Sequence, residues 1–279
     1  YEIRLSLVGS EMCIRDRAAA RRNKMLKDYI WQLVLTGVVS YLIGCVNAAI
    51  LLSKKFKKTD IRTVGSKNPG TTNMYRVFGL KMGVVTLIFD ALKGAVPTLA
   101  AFFIFKAISQ GNVEIYAFAS YLAALCATLG HIFPVFTKFR GGKGFATSIG
   151  VLLALQPIPT LCICVVGIVL LLITDKMSIF ALFYITAELI FHIVGCFVEI
   201  HMWGAMNNVT YPILITVILL WIMIVYAHRG NIERLIKGEE NNMGLKKALF
   251  KKKCATKEDV SRADEAVEAD SHQTDEKTE

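Results

Sequence analysis

The run FATSIGVLLALQPIPTLCICVVGIVLLLIT, residues 145–174, decides the fold, because it holds 30 residues before its first charge at Asp175. A helix needs about 20 apolar residues to cross the hydrocarbon core of a bilayer, so this run is long enough to span lipid. Pro157 and Pro159 interrupt it, and each proline removes a backbone donor and disfavours continued helix. The run therefore predicts either one long kinked span or two short spans joined by a tight turn.

Five more apolar runs have the length of a membrane span. The chain of 279 residues is 54% hydrophobic, with a mean hydropathy of +0.49. This composition excludes a disordered or fibrous protein and most ordinary soluble folds. The sequence predicts an all-α polytopic membrane protein. The five runs are residues 29–52, 82–105, 115–136, 177–198 and 209–227.

The distribution of Lys and Arg predicts the orientation of these spans. Successive loops carry eight, one and three of these residues up to Lys143. If residues 145–174 form two spans, the next loops carry none, one and none of these residues, and the segment after the last span carries eight. Every high count of Lys and Arg then falls on the same side of the membrane, as the positive-inside rule requires of the cytoplasmic side. We therefore predict seven transmembrane helices, with the N-terminus outside and the C-terminus cytoplasmic. An unsplit run would place the basic C-terminal segment opposite the other basic loops.

Both ends of the chain are predicted to lie outside the membrane domain, which is expected to occupy residues 25–240. Arginines such as Arg15 and Arg21 would lie on the wrong side of the membrane, so residues 1–24 are interpreted as a non-native or upstream extension. Residues 241–279 form a basic and then acidic cytoplasmic tail. Its last part, residues 254–279, has nine acidic and three basic side chains, which predicts a largely disordered segment.

The formal net charge of +10 makes nucleic acid a partner to consider. The membrane-length runs favour a different explanation, in which the excess positive charge faces an anionic lipid surface or phosphorylated substrates. We therefore predict contact with the lipid bilayer and no nucleic-acid partner.

The segment DIRTVGSKNPGTTNMYR, residues 60–76, follows the first span and combines glycines with many hydrogen-bond donors. Its glycines and proline prevent helix and bring backbone N–H groups to the surface, which suits a phosphate. A solvated positive-inside loop is the alternative, because Thr71 follows Gly70 where a P-loop requires Lys. The candidate phosphate ligands in this segment are Gly65, Ser66, Asn68, Gly70, Thr72, Asn73 and Arg76.

The segment GHIFPVFTKFRGGKGFAT, residues 130–147, places Lys143 directly before an apolar helix. Gly141, Gly142 and Gly144 surround this lysine, and the exposed amides at the start of a helix favour an anion. A flexible turn accounts equally well for the string GGKG alone.

The segment HRGNIERLIKGEE, residues 228–240, leaves the last span. His228, Asn231 and Arg234 recur at intervals of three, so one face of a helix would be polar. A basic helix lying at the membrane interface is the alternative interpretation.

Two pairs of ionisable residues lie within predicted spans, where such residues are costly. Asp90 and Lys93 share a helix face, and both a structural ion pair and a catalytic pair remain open. Glu188 and His192 resemble half of a metal site, but no third ligand is clearly placed, so we predict an interhelical hydrogen bond instead. We predict no metal ion and no organic cofactor.

Taken together, the polar segments resemble those of the bacterial acyl-phosphate:glycerol-3-phosphate acyltransferases, which are small seven-span inner-membrane enzymes. The resemblance rests on four strings in the same order, namely residues 65–76, 90–94 (DALKG), 130–144 and 228–240. Lys67 departs from the family pattern, which usually has Gly there, and Thr71 stands where Ala is common.

The resemblance implies transfer of a fatty acyl group from acyl phosphate to the sn-1 hydroxyl of glycerol 3-phosphate, the first step of phospholipid synthesis. The products would be lysophosphatidic acid and phosphate. An acyl phosphate already has a good leaving group, so positioning and charge neutralisation would suffice for catalysis. On this reading the catalytic residues are Ser66, Lys143, His228 and Asn231, with Asp90, Lys93, His131, Arg234 and Glu240 in support.

The resemblance also implies an active site that faces the cytoplasm and a functional link to an enzyme that makes acyl phosphate. A transporter for a phosphorylated metabolite is the alternative function, although no repeat relates the two halves of the chain. The sequence argues against the acyltransferases that use an HxxxxD pair, because none of the five histidines has Asp five positions later.

Overall fold

The computed structural model describes residues 27–203 and 210–244, and all the regular structure in these ranges is helical. The extension predicted at residues 1–24 and the acidic tail lie outside the described residues. The helices are α1 (Ile30–Cys45), α2 (Ala48–Lys57), α3 (Thr71–Phe78), α4 (Leu80–Ile108), α5 (Val113–Ile132), α6 (Phe145–Leu155), α7 (Pro157–Thr174), α8 (Met177–Trp203), α9 (Thr210–Ala227) and α10 (Arg229–Ile236), with short 3₁₀ turns at Ile61–Thr63 and Val135–Thr137.

Six segments of the described chain are long and apolar enough to cross a membrane, which confirms the all-α polytopic class. They are Ile30–Lys57, Leu80–Ile108, Val113–Thr137, Pro157–Thr174, Met177–Met202 and Thr210–Ala227. Helix α6 is also apolar but has only 11 residues. At 1.5 Å per residue it is about 16 Å long, roughly half of the hydrocarbon thickness.

The decisive run 145–174 forms two helices, as the charge distribution predicts. Gln156, with φ −147° and ψ 73°, separates α6 from α7, and Pro157 occupies the first position of α7, where its missing N–H is not needed. Residues at the start of α6 and at the start of α8 line the same cavity. The α6–α7 pair therefore enters the molecule from the cavity side and returns to that side.

The first predicted span is a single run in the sequence but two helices in the structure. Helix α1 ends at Cys45 with Val46 as its C-cap, and Asn47 caps α2, since its Oδ1 accepts a hydrogen bond from the Ile50 N–H at 3.0 Å. Lys93 Nζ donates to the Val46 carbonyl at 2.9 Å, and Asn47 Nδ2 donates to the Pro69 carbonyl at 3.1 Å. Backbone groups freed within a membrane need such partners. The break also attaches the segment 60–76 to the helix bundle.

Small residues bring the helices that carry the polar segments close together. A Cβ at Gly44 of α1 would lie 2.1 Å from the Ala127 carbonyl oxygen of α5, and a Cβ at Gly150 of α6 would lie 2.0 Å from that of Ala91 in α4. Such contacts are typical of helix packing in membranes. Asp90 of α4 and the first residues of α6, Phe145 and Ala146, line the same cavity.

Candidate active site

One cavity of about 670 Å³ gathers residues from all three polar segments. The beginnings of α3, α6, α8 and α10 surround it. Four predicted site residues, Gly65, Lys93, Gly141 and Gly142, are absent from its lining. The predicted residues that line it are Ser66, Asn68, Gly70, Thr72, Asn73, Arg76, Asp90, His131, Lys143, Gly144, His228, Asn231, Arg234 and Glu240.

The side chain of Asn73 shapes the first segment from within. Its Oδ1 accepts a hydrogen bond from the Ser66 N–H at 2.9 Å, and its Nδ2 donates to the carbonyls of Ile61 and Val64 at 3.2 and 3.0 Å. A Cβ at Gly65, where φ is +60°, would lie 2.3 Å from Asn73 Oδ1. Asn73 therefore holds the loop through its side chain, while Ser66 and Asn68 line the cavity.

Helix α3 begins at the cavity. Gly70 is its N-cap, and the Gly70 carbonyl accepts from the amides of Asn73 and Met74, both at 3.1 Å. The amides of Thr71 and Thr72 belong to the first turn, which has no intrahelical acceptor for them. Both threonines line the cavity. The start of α3 thus offers backbone donors to an anion.

Gly141 and Gly142 pack against the end of α5 instead of lining the cavity. Their amides donate to the carbonyls of Ile132 and His131 at 3.2 and 3.1 Å, so these two N–H groups are not available to a ligand in this structure. A Cβ at Gly142 would lie 2.1 Å from His131 Nε2. Gly144, with φ +82°, starts α6, and the next two residues, Phe145 and Ala146, line the cavity.

Asp90 and Lys93 form a buried ion pair at 2.8 Å, and Asp90 Oδ1 lies 3.7 Å from His131 Nδ1. Lys93 is held away from the cavity by its bond to the Val46 carbonyl, whereas Asp90 and His131 line the cavity. The pair therefore joins the break between α1 and α2 to the wall of the cavity.

Glu240 is the centre of a hydrogen-bond network that joins the second and third segments. Its Oε1 accepts from Ser178 Oγ at 2.8 Å and from Asn231 Nδ2 at 2.7 Å, and its Oε2 accepts from Arg234 Nε at 2.9 Å. The Asn231 side chain also contacts Lys143, whose Nζ donates a hydrogen bond to Asn231 Oδ1. The network fixes a lysine and an arginine beside one carboxylate.

The cavity lining has four cationic side chains and three carboxylates, namely Arg76, Lys143, Arg229 and Arg234 against Asp90, Glu233 and Glu240. The pKa of Lys143 is lowered to about 8, chiefly by burial, with smaller downward effects of Arg234 and Arg76 and an opposing effect of Glu240. Burial also lowers the pKa of Arg76. For Glu240, burial raises the pKa, but the bonds from Ser178 and Asn231 and the charge of Arg234 outweigh burial, so its net shift is downward. The cavity therefore favours anionic ligands.

His228 is buried, and its ring orientation is fixed. Its Nδ1 lies 2.8 Å from the Ile224 carbonyl, which can only accept, so Nδ1 carries the proton and Nε2 has the lone pair. Burial and the charge of Lys143 lower the pKa of His228 to about 4. The imidazole is therefore neutral at pH 7.

Ser178, Asn241 and Asn242 contact predicted site residues, although no sequence motif identifies them. Arg76 Nε donates to the Asn242 carbonyl at 3.2 Å, and Arg76 Nη2 donates to the Asn241 carbonyl at 2.9 Å. Backbone acceptors of this kind can come from any residue type, so residue patterns do not predict them. For Ser178, the available signal is its position just after the charged pair 175–176, which ends a long uncharged run.

Glu188 makes an interhelical hydrogen bond, as predicted. Gln156 Nε2, between α6 and α7, donates to Glu188 Oε2 in α8 at 2.9 Å. His192 Nδ1 contacts the Glu188 carbonyl of the same helix at 2.8 Å. Among residues 27–203 and 210–244, the structure has no group of three His, Cys, Asp or Glu residues placed to hold a metal ion.

The fold is that of a membrane-spanning protein, and its cavity is a candidate site for an anion. Comparison with known proteins places the chain in a family. The family model described as Glycerol-3-phosphate acyltransferase matches residues 34–238. This chain belongs to the glycerol-3-phosphate acyltransferase family, which confirms the resemblance seen in the sequence and makes it an acyltransferase.

Relatives in other organisms match over nearly their full length. The glycerol-3-phosphate acyltransferase of Shouchella clausii is 37% identical over 221 residues, covering 78% of this chain and 100% of the relative. That of Thermoanaerobacter pseudethanolicus is 34% identical and covers 76% and 96%. The crystal structure of PlsY (YgiH), an integral membrane glycerol 3-phosphate acyltransferase in its glycerol 3-phosphate form, matches with a TM-score of 0.64 and 30% identity, covering 78% of this chain and 99% of PlsY.

Proposed function

We propose that this protein transfers a fatty acyl group from acyl phosphate to the sn-1 hydroxyl of glycerol 3-phosphate, which yields lysophosphatidic acid and phosphate. The observation that carries the proposal is that Arg76, Lys143, a neutral His228 and the beginnings of α3 and α6 all line one cavity. Two cations and two sets of free amides match two phosphorylated reactants.

The two phosphates would occupy opposite sides of the cavity. One is held by Arg76, Ser66 and Asn68 with the first amides of α3. The other is held by Lys143 with the first amides of α6. The apolar part of the lining, from Phe145, Ala146, Met177, Ala181 and Ala227, would contact the first carbons of the acyl chain.

In the reaction, the sn-1 hydroxyl oxygen attacks the acyl carbonyl carbon, and the bond from that carbon to the phosphate oxygen breaks. His228 Nε2 accepts a hydrogen bond from the hydroxyl and orients it. With a pKa of about 4, His228 is a weak base, so the hydroxyl proton passes to the departing phosphate, which is the stronger base. Lys143 neutralises charge that develops on the phosphate, and Asn231 holds Lys143 in place.

The orientation we propose has seven membrane segments, the half-length α6 among them, with the N-terminus outside. The C-terminus and the site face the cytoplasm of a bacterial cell, and the protein lies in the inner membrane. The return of the α6–α7 pair to the cavity side supports this arrangement, because it keeps the basic segments together. We further propose residues 25–240 as the membrane domain and a functional link to an enzyme that makes acyl phosphate.

A donor-exchange assay tests the reaction. Detergent-purified protein is incubated with labelled glycerol 3-phosphate and either palmitoyl phosphate or palmitoyl-CoA. We expect labelled lysophosphatidic acid with palmitoyl phosphate and background levels with palmitoyl-CoA. Product from palmitoyl-CoA alone would contradict the donor, and no product from either would favour transport of a phosphorylated metabolite.

The pH dependence of kcat/KM is expected to show an alkaline decline near pH 8. The pKa of Lys143 is lowered from 10.5 to about 8, so its positive charge is lost as the pH rises through 8 in the free enzyme. Arg keeps its charge throughout this range, so Lys143→Arg is expected to move the decline to higher pH. Rates from pH 6 to 10, corrected for spontaneous hydrolysis of the donor, provide the measurement. The same alkaline decline in both proteins would exclude Lys143 as its cause.

A further inference from the structure

A short segment after α10, residues 240–244, crosses from the third polar segment to the turn between α7 and α8. We call it the C-terminal strap. Its first residue, Glu240, binds Ser178 and Arg234, and its next two carbonyls accept from Arg76. Its last two amides bind Asp175: Met243 N–H donates to the Asp175 carbonyl at 2.6 Å, and Gly244 N–H donates to Asp175 Oδ2 at 3.1 Å.

Asp175 is built into the turn that receives the strap. It ends α7 in the left-handed conformation, with φ 56° and ψ 22°, and only 6% of its surface is exposed. Asp and Asn enter this conformation more readily than most other residues. Asp175 is hydrogen-bonded to both neighbours of the turn: its N–H donates to the Leu171 carbonyl at 2.8 Å, and its carboxylate accepts from the Gly244 N–H. The turn is therefore a fixed anchor for the end of the strap.

We propose that Asp175 is a positioning residue for the phosphate site and acts through the strap on Arg76. Two of the five N–H donors of Arg76 are directed at strap carbonyls, so the place of the strap determines which donors remain for a phosphate. The Asp175 carboxylate holds the far end of the strap. This inference rests on the proposed function only in its kinetic readout.

Two substitutions of Asp175 separate its side chain from its backbone conformation. Asp175→Asn keeps an oxygen that accepts from Gly244, and Asp175→Gly keeps the left-handed turn but removes that oxygen. The substrate whose KM rises most in Arg76→Lys identifies the phosphate that Arg76 holds. For that substrate we expect Asp175→Gly to raise KM about tenfold with little change in kcat, and Asp175→Asn to stay within about threefold, since tenfold corresponds to the loss of one modest polar contact.

A double-mutant cycle shows whether Asp175 acts through Arg76. Lys lacks the planar fork that binds both strap carbonyls, so Asp175→Gly is expected to add less than about twofold in the Arg76→Lys protein. Independent effects that multiply would overturn the proposal, as would an unchanged KM in Asp175→Gly. If Asp175→Gly does not fold, as judged by its melting temperature in detergent, Asp175→Ser replaces it. The Ser hydroxyl oxygen is one bond closer to the backbone than the Asp carboxylate oxygens, so it should not reach the Gly244 N–H.

Hydrogen exchange provides a readout that does not depend on catalysis. Peptides that contain the Met243 and Gly244 amides should exchange faster in Asp175→Gly than in wild type, and at the wild-type rate in Asp175→Asn. Unchanged exchange in Asp175→Gly would contradict anchoring of the strap. A wild-type protein inactive with palmitoyl phosphate would contradict the proposed function alone, since the exchange result stands without it.

Discussion

Replacement of Lys143 by Ala is expected to lower kcat at least about a hundredfold. Lys143 is the cation at the beginning of α6, and we propose that it neutralises charge on the departing phosphate. Removal of one preorganised donor to such a charge typically costs about 10²- to 10³-fold in rate. The measurement is single-turnover formation of lysophosphatidic acid from palmitoyl phosphate by the purified variant, at saturating glycerol 3-phosphate.

Lys81→Ala is the matched control for this experiment. Lys81 is exposed in the first turn of α4 and does not line the cavity, yet it carries the same charge and belongs to a basic segment that is predicted to lie on the same side of the membrane. Its replacement is expected to leave the rate within about twofold, as for most surface substitutions. If Lys143→Ala retained most of the wild-type rate, Lys143 would not be part of the site.

Glu240→Ala is expected to have a comparably large effect on activity and, unlike the lysine substitution, to lower stability as well. The change removes the acceptor of Ser178, Asn231 and Arg234, and it frees the amide that holds Lys143. Hydrogen bonds to a charged group contribute about 1.5–3 kcal/mol each, and leaving buried donors unpaired adds to the loss. We expect kcat/KM to fall at least about a hundredfold and the melting temperature in detergent to fall by several degrees.

The adjacent Glu239 provides the control, because it is exposed and does not line the cavity. Glu239→Ala should behave as wild type in both measurements. Glu240→Gln keeps an oxygen acceptor and loses the charge, so its activity should lie between those of Glu240→Ala and wild type. Equal activities of Glu240→Ala and Glu239→Ala would show that the network does not support catalysis.

The helical class and the gathering of the three polar segments follow from features that a sequence displays directly. Apolar length predicts the spans, Pro157 predicts the break before α7, and the alternation of Lys and Arg predicts which loops share a side. Glycines beside Lys143 likewise predict a turn into a helix. These are properties of composition and spacing, so they can be read without knowing which residues touch.

The finer arrangement depends on contacts between distant parts of the chain. Asn73 resembles a ligand in the sequence, but its amide lies against three backbone groups of its own loop. Gly142 resembles an anion-binding amide, but the imidazole of His131 occupies the space beside it. Asn47 interrupts an apolar run that is otherwise uniform. The Val46 carbonyl at this break accepts a hydrogen bond from Lys93, which lies 47 residues further along the chain. Such pairings have no local pattern.

The internal bonds of Asn73 have a thermodynamic consequence for catalysis. Because the side chain of Asn73 already fixes the backbone from Ile61 to Ser66, the ligand does not have to order this stretch when it arrives. The conformational entropy of the loop is lost during folding, once per protein molecule, instead of during every catalytic cycle. If the segment binds a phosphate as we propose, we expect substrate affinity to reflect the phosphate contacts without a further cost for ordering this stretch of the loop.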